Sequence, residues 1–384
     1  MRLIVDARPM AEPIHGGVGR VAFEIMDAFA AANPETEVVC ATTGSRTTLL
    51  PQRLMDRPNV RHVHFKLPNK IWSLASMFGL VSLYSMVERR YGPADAFFMP
   101  NLGLTGRLPQ GIPSVLLLHD LSFLIEPRWF TLKQRLWHRA VRAKSLIRCA
   151  TRLLAVSETT KRDAVRLLGI SADRIGVIPL GPTLSAANYR LTDSQLADLP
   201  PRYVLALGAG DPRKNAVTAI AAVKILRQER AFQDLSLIVV GEKRNVVLNE
   251  GRQTAGAKCF SKIFSTPLRS AQDDRFIQII SRPSDAELAA LYAKASAFLY
   301  PSWYEGFGLP LHEAASFGTP CVASTSGALP ETAPIGTIFA NPAKPHHWAE
   351  ALVLALSQAR TQKRTAPPAW GSAAEALAAS LIAQ

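Results

Sequence analysis

Near the carboxyl end of the chain, Tyr300 to Pro320 reads YPSWYEGFGLPLHEAASFGTP, with two carboxylates, Glu305 and Glu313, eight positions apart and Gly306, Gly308 and Pro310 between them. A carboxylate only accepts hydrogen bonds and can take them in pairs from sugar hydroxyls. Glycines let a backbone come close to a ligand and offer it N–H groups. Upstream, GAGDPRKN sets Arg213 and Lys214 behind Asp211 and Pro212. Asp211 can cap a following helix and Pro212 suits its first turn, so the two cations fall near a helix N-terminus, where the dipole already favours anions. There Arg213 can grip a diphosphate in bidentate fashion and Lys214 can act as a point charge. Blander roles fit the same residues. Ser302 and Glu305 match a capping box S-x-x-E, Glu313 in a first helical turn can complement the dipole, and the two cations can be solvated residues of an exposed helix.

Such residues need strand ends and helix starts to hold them. The chain alternates short β-rich runs with helical patterns, which predicts parallel sheets covered by helices. In the first half RLIVDA, EVVCATT, VRHVHF, DAFFMP, PSVLLLHD and RLLAVS read as strands. Helices are expected over Val18 to Ala32, Ile71 to Arg90 and Leu132 to Cys149, with a further one capped by Ser157. A second series, YVLALGA, SLIVVGE, FIQII, AFLYPS, PCVAST and GTIFA, has helices at Asn215 to Arg230, Asp285 to Ala295 and Pro310 to Phe317. Between the series lie Pro179, Pro182, Pro200 and Pro201, which places a domain boundary near residues 181–201. The fold class is therefore α/β, two doubly wound Rossmann-like domains facing a central cleft, and ligands of such sheets bind at the carboxyl ends of strands.

A chain of 384 residues that is 48% hydrophobic can bury a large core, which excludes a disordered or disulfide-stapled protein. Cys40, Cys149, Cys259 and Cys321 show no C-x-x-C pairing, so neither a zinc site nor a disulfide framework is expected and a reducing cytoplasm is. The opening MRLIVDARPM reads as a strand and not a signal peptide, and no stretch is apolar enough to span a bilayer. The formal charge of +14 implies an anionic partner. Between Pro127 and Ser157 there are eight Lys and Arg and no acid, and the apolar NKIWSLASMFGLVSLYSMVERRY could dock lipid or serve as an ordinary core helix. No nucleic-acid motif accompanies these bases, so no nucleic-acid partner is expected.

EGFGLPLHEA, with its E-x7-E spacing, and GAGDPRKN upstream resemble the retaining glycosyltransferases of family 4, which adopt the GT-B fold. HGGVGR, VLLLHDLSF, LLAVSETTKRD and IGVIPLG add to the likeness, which covers residues 2–340. The resemblance implies an acceptor-side domain over 1–185, a nucleotide-sugar domain over 186–365 and a C-terminal helix, 366–384, returning to the first domain. It implies that Arg213 and Lys214 hold the diphosphate, that Glu313 accepts from ribose hydroxyls, and that Glu305 contacts the transferred sugar. Amides of Gly306 and Phe307, with Gly308 in the same loop, add donor contacts, Gly16 and Gly17 approach the phosphates, and His119 lies close to the reacting sugar. No metal or other cofactor is implied. The expected reaction moves a hexose, with mannose and hence GDP-mannose favoured, to a sugar or polyprenyl-linked saccharide acceptor. Fixed cations and N–H groups would stabilise the departing diphosphate. The site would be cytoplasmic, on the inner face of an anionic membrane.

Alternatives are another GT-B sugar-nucleotide enzyme of epimerase type and a non-catalytic protein that binds anionic surfaces or nucleic acid through its charge. The loop GGVGRVA also satisfies a dinucleotide fingerprint through Gly17, Gly19 and Ala22, but no acid closes the second strand to hold a ribose. His62, His64, His346 and His347 have no metal-ligand company, and Trp303, Tyr304 and Phe123 suit packing. The polar run 244–275 matches no known pattern.

Overall fold

A computed structural model describes residues 1–11, 16–186, 199–241, 275–358 and 370–382. Contacts divide the chain into two compact units, Met1–Thr183 with Pro368–Gln384, and Leu184–Pro367. The runs rich in Val, Ile and Leu form strands buried along nearly their whole length, as expected of parallel strands covered on both faces. The first unit contains β1 (Arg2–Asp6), β2 (Glu37–Thr43), β3 (Val60–Phe65), β4 (Ala96–Met99), β5 (Ser114–Leu118), β6 (Arg152–Ala155) and β7 (Ile175–Val177). Among the described residues they make a seven-stranded parallel sheet in the order β3-β2-β1-β4-β5-β6-β7. The second unit contains β8 (Tyr203–Ala209), β9 (Ser236–Gly241), β10 (Ile277–Ile280), β11 (Ala297–Tyr300), β12 (Cys321–Ser324) and β13 (Ile338–Ala340). Their order, β10-β9-β8-β11-β12-β13, repeats the pattern of the first sheet.

In both sheets the order reverses beside the first strand, between β1 and β4 and between β8 and β11. Connections on the two sides of that point leave in opposite directions and open a crevice at the carboxyl ends of the strands. Every chemically interesting loop described below follows one of these four strands or their neighbours.

Two expected helices are broken. Ile71 to Arg90 becomes the helices Asn69–Met77 and Leu83–Tyr91. Gly79 adopts φ +69° at the break, and the Ser82 hydroxyl accepts from the Ser85 N–H to start the second helix. Leu132 to Cys149 becomes Leu132–Ala140 and Ala143–Cys149, parted at Arg142, which takes the left-handed φ of 52°. Apolar periodicity continues across both joints, so the backbone reversals were invisible to it. The helix after β8 is shorter than Asn215 to Arg230, spanning Ala216–Leu226. Most of the polar run 244–275 lies outside the described residues.

The helix Trp370–Ile382 packs on the helix Gly16–Ala32 of the first unit and buries Ala373, Ala374, Leu377 and Leu381. No helix among the described residues is long and apolar enough to cross a membrane. Leu377 is fully buried, so Leu377→Ala should destabilise the first unit by about 2–5 kcal/mol. Urea unfolding followed by circular dichroism checks this, and an unchanged midpoint would show that the helix does not contribute to the core.

Candidate active site

β8 departs from regular pairing with β9 between Leu207 and Ala209, where Gly208 takes φ +95°. The chain then turns through a 3-10 segment, Pro212–Lys214, capped by the Asp211 carboxylate, which accepts the Arg213 N–H at 2.9 Å. Asn215, in a left-handed conformation, starts the following helix, and its amide donates to the carbonyls of Pro301 and Pro342 at 3.0 Å each. The Trp303 N–H donates to the Arg213 carbonyl at 2.8 Å. These bonds tie the loop after β8 to the loop after β11, whose parent strands are already hydrogen-bonded neighbours.

Across that junction three predicted residues meet. The Lys214 ammonium donates to Glu305 Oε1 at 2.8 Å and to the Tyr300 hydroxyl at 2.5 Å. Arg213 Nη1 donates to Glu305 Oε2 at 3.2 Å and to the Tyr304 carbonyl at 3.3 Å. Each oxygen of one carboxylate thus faces a different cation. A Cβ on Gly208 would stand 2.2 Å from Cβ of Lys214, so the lysine stem crosses a space that only glycine leaves open. Of the three ammonium N–H bonds, two are used, and among the described residues the third has no protein acceptor. The Lys214 side chain is 18% exposed, against 8% for Glu305.

Burial by itself would raise the Glu305 carboxyl, but Arg213 and Lys214 together outweigh it and bring it down to about 2. The acid is therefore ionised throughout the physiological range. Burial, reinforced by the negative charge of Glu305, raises the Tyr300 phenol well above its ordinary range and keeps it protonated.

Glu313 is held by a different partner. It lies in the second turn of the helix Leu309–Ser316, one turn later than expected, and accepts from the Tyr292 hydroxyl at 3.0 Å. The expected capping box of Ser302 and Glu305 does not form, because Gly308, at φ +100°, occupies the N-cap and Glu305 is committed to the cations. A side chain at Gly308 would meet Leu329 Cδ2 at 2.5 Å. Gly306 is buried in the same loop, and Phe307 stacks on His312 at 4.9 Å while its carbonyl accepts from the Thr332 hydroxyl.

In the first unit, Gly16 and Gly17 form the exposed first turn of the helix Gly16–Ala32, two residues earlier than expected. His119 follows β5 and shares a 2.8 Å hydrogen bond between Nε2 and the Pro100 carbonyl. A carbonyl only accepts, so Nε2 carries the hydrogen and Nδ1 is left as an acceptor. Burial lowers the His119 pKa against smaller opposing effects of the Pro100 carbonyl and Asp120, which favours the neutral ring.

The same unit holds a cavity of about 460 Å³ at the carboxyl ends of β1, β2 and β4, lined by Asp6, Arg8, Thr42, Trp72 and Asn101 among others. Asp6 closes β1 and pairs with Arg8 through two bonds, Nε–Oδ1 at 2.7 Å and Nη2–Oδ2 at 2.6 Å. Arg8 also donates to the Leu104 carbonyl and lies over the Trp72 ring at 5.2 Å, and the Trp72 indole donates to the same carbonyl. In the sequence Asp6 stands out only as an acid within the apolar run of MRLIVDARPM. An acid at the end of an otherwise apolar strand was the available signal.

Two Rossmann-like units with this strand order are the architecture of the GT-B fold. Residues 15–185 match the Glycosyltransferase Family 4 model and residues 190–369 the model for Glycosyl transferases group 1. The chain belongs to this glycosyltransferase family. It is 25% identical over 381 residues to O-antigen chain mannosyltransferase B of Escherichia coli, spanning 89% of this chain and 87% of that one. It is 32% identical over 198 residues to MMP alpha-(1->4)-mannosyltransferase of Mycolicibacterium hassiacum, spanning 51% of this chain and 43% of the other. Among solved structures, sucrose-phosphate synthase of Thermosynechococcus elongatus superimposes with TM-score 0.66 at 18% identity, covering 99% of this chain and 95% of its own. HepE of Anabaena, solved with UDP and glucose, gives TM-score 0.59 at 18% identity with the same coverage.

Two outcomes follow from the cation–carboxylate cluster. Tyr300→Phe removes one of the two acceptors of Lys214, and a hydrogen bond to a charged group is worth about 1.5–3 kcal/mol, so kcat/KM for glycosyl transfer should fall about tenfold or more. Wild-type kinetics in a folded variant would show that the hydroxyl does not place the lysine. The folded pKa of Glu305, about 2, lies below its ordinary 4.5, so its stabilisation is complete above about pH 4.5 and is lost as pH falls towards 2. Glu305→Gln should therefore flatten the acid limb of stability against pH, and a limb as steep as wild type would refute the pairing.

Proposed function

We infer that the chain is a retaining, metal-independent hexosyltransferase. In this reading it moves mannose from a nucleoside-diphosphate sugar to a saccharide or polyprenyl-linked saccharide at the cytoplasmic face of an anionic membrane. The observation that carries it is the Lys214 ammonium, fixed by Tyr300 and Glu305, partly exposed, and left with one N–H for an incoming oxygen. Breaking a glycosyl–phosphate bond places negative charge on the departing diphosphate. A cation that is already oriented stabilises that charge without rearranging when it forms.

Arg213 and Lys214 take the diphosphate, Glu313 the ribose hydroxyls and Glu305 the transferred sugar, while Glu305 also holds both cations in place. Amides of Gly306, Phe307 and Gly308 complete the contacts on this unit. Gly16, Gly17 and His119 belong to the first unit, and their proposed service to the donor is part of the same reading. The neutral His119 ring, with Nδ1 free of its hydrogen, suits accepting a bond from a sugar hydroxyl. In the cavity beside β1, Arg8, held by the buried Asp6 and seated over the buried Trp72 ring, and Asn101 offer polar contacts of the kind a saccharide acceptor needs.

Mannose is favoured because relatives across most or half of the chain are named mannosyltransferases. A UDP-sugar is the competing donor, since HepE, of the same fold, was solved with UDP.

A thermal-shift series with GDP, UDP and ADP identifies the base, because a ligand bound only by the folded state raises the melting temperature. GDP should stabilise the protein most, and stabilisation by none of the three would sink the donor assignment. Lys214→Ala should lower turnover about 100-fold to 1,000-fold in a protein that still folds, with a lower melting temperature because Glu305 keeps only one cation. Turnover should also persist in chelator, and abolition by chelator would overturn metal independence.

A further inference from the structure

Two helices of the first unit carry large apolar side chains that nothing covers. On Asn69–Met77 and the turn after it, Ile71, Leu74, Phe78 and Leu80 are exposed, Phe78 at 67% and Leu80 at 77%. On Leu132–Ala140, Leu132, Leu136 and Trp137 are exposed, and this helix buries no side chain at all. His138 anchors this helix, stacked on Phe123 at 4.6 Å and edge-on to Phe130, but its leucines do not share in that packing, whereas helices in globular proteins owe most of their stability to packing an apolar face. Both helices border the same cavity, the first through Asn69, Trp72 and Ser73 and the second through Trp137. Ile71, Leu74 and Phe78 lie on the side of their helix away from the cavity-lining Asn69, Trp72 and Ser73.

The chemistry around them selects the partner. Both lie in acid-free stretches, residues 57–87 and 127–157. Lys70 stands on the first helix, and Arg107 Nε lies 3.2 Å from where a Cβ on Gly79 would be, beside Phe78 and Leu80. On the second helix, Leu132 and Leu136 share a stripe flanked by the exposed Arg135, Arg139 and Lys133. A short apolar stripe bordered by cations suits an anionic bilayer, whose acyl boundary takes the apolar groups while its headgroups take the charges.

We propose that the exposed apolar and basic sides of Asn69–Leu80 and Leu132–Ala140 dock the protein onto an anionic lipid surface. This rests on the membrane-associated transferase proposed above and supplies the attachment surface it lacks.

The test is co-sedimentation of the full chain with phosphatidylcholine vesicles, with or without about one third phosphatidylglycerol. Anionic vesicles should bind at least about tenfold more protein, less so at high salt. Phe78→Ser with Leu80→Ser, and separately Leu132→Ser with Leu136→Ser, should each weaken that binding about tenfold. Lys133→Gln, Arg135→Gln and Arg139→Gln together should weaken it more, since each cation near such a surface is worth about fivefold. Equal binding to neutral vesicles, or serine variants that bind as wild type, would overturn the proposal. So would a wild-type dimer in solution that the serine variants dissociate, which would assign the face to a second copy of the chain. Nucleotide-induced stabilisation should be the same in every variant. Vesicle binding that follows this pattern in a protein no nucleotide stabilises would support the surface while refuting the donor site.

Discussion

A single buried carboxylate shared by two cations organises the second unit. Glu305 is 6% exposed, and an ionised acid that far from water is tolerable only if it is paired and hydrogen-bonded. Arg213 and Lys214 satisfy it from the next strand over, one to each oxygen. The dependence runs both ways, since without the acid two cations would crowd one another in the same small volume. What results is a positively charged group held still by its neighbours and still open on one side. That is the property a site needs in order to receive a doubly charged leaving group without reorganising.

The backbone contributes by exclusion. Gly208 leaves out the Cβ that would strike Lys214, and a Cβ at Gly327 would stand 2.7 Å from the Glu305 backbone nitrogen. The repeated strand order brings both loops to the place where connections diverge. It does the same in the first unit, where Asp6 and Arg8 close β1 beside the loop after β4. In one sheet the divergence point holds two cations around one carboxylate. In the other it holds a part-buried ion pair packed over an indole.

Much of this was legible from residue order alone. Strands announced themselves by dense β-branched and apolar runs, and the loops by glycine and proline, because both signals are local. The meeting of Arg213, Lys214 and Glu305 could be anticipated from the rule that ligands gather at strand ends. The commitment of Glu305 to the two cations could not, because it depends on which strands lie side by side. Tyr300 and Tyr292 were hidden for a similar reason: a tyrosine in a strand or helix reads as core, and only the fold shows that their hydroxyls reach Lys214 and Glu313. The broken helices at Gly79 and Arg142 escaped because apolar spacing continues through both joints. The Asp6–Arg8 pair escaped because an acid at a strand end does not reveal which cation it takes.

The most direct measurement is a crystal structure of the protein with a nucleoside diphosphate bound. A diphosphate oxygen should lie about 2.7–3.2 Å from the Lys214 ammonium, with Arg213 alongside and the bonds from Tyr300 and Glu305 retained. A diphosphate bound elsewhere on the chain, or a Lys214 that must abandon Glu305 and Tyr300 to reach it, would contradict the claim that this cation stands ready before the ligand arrives.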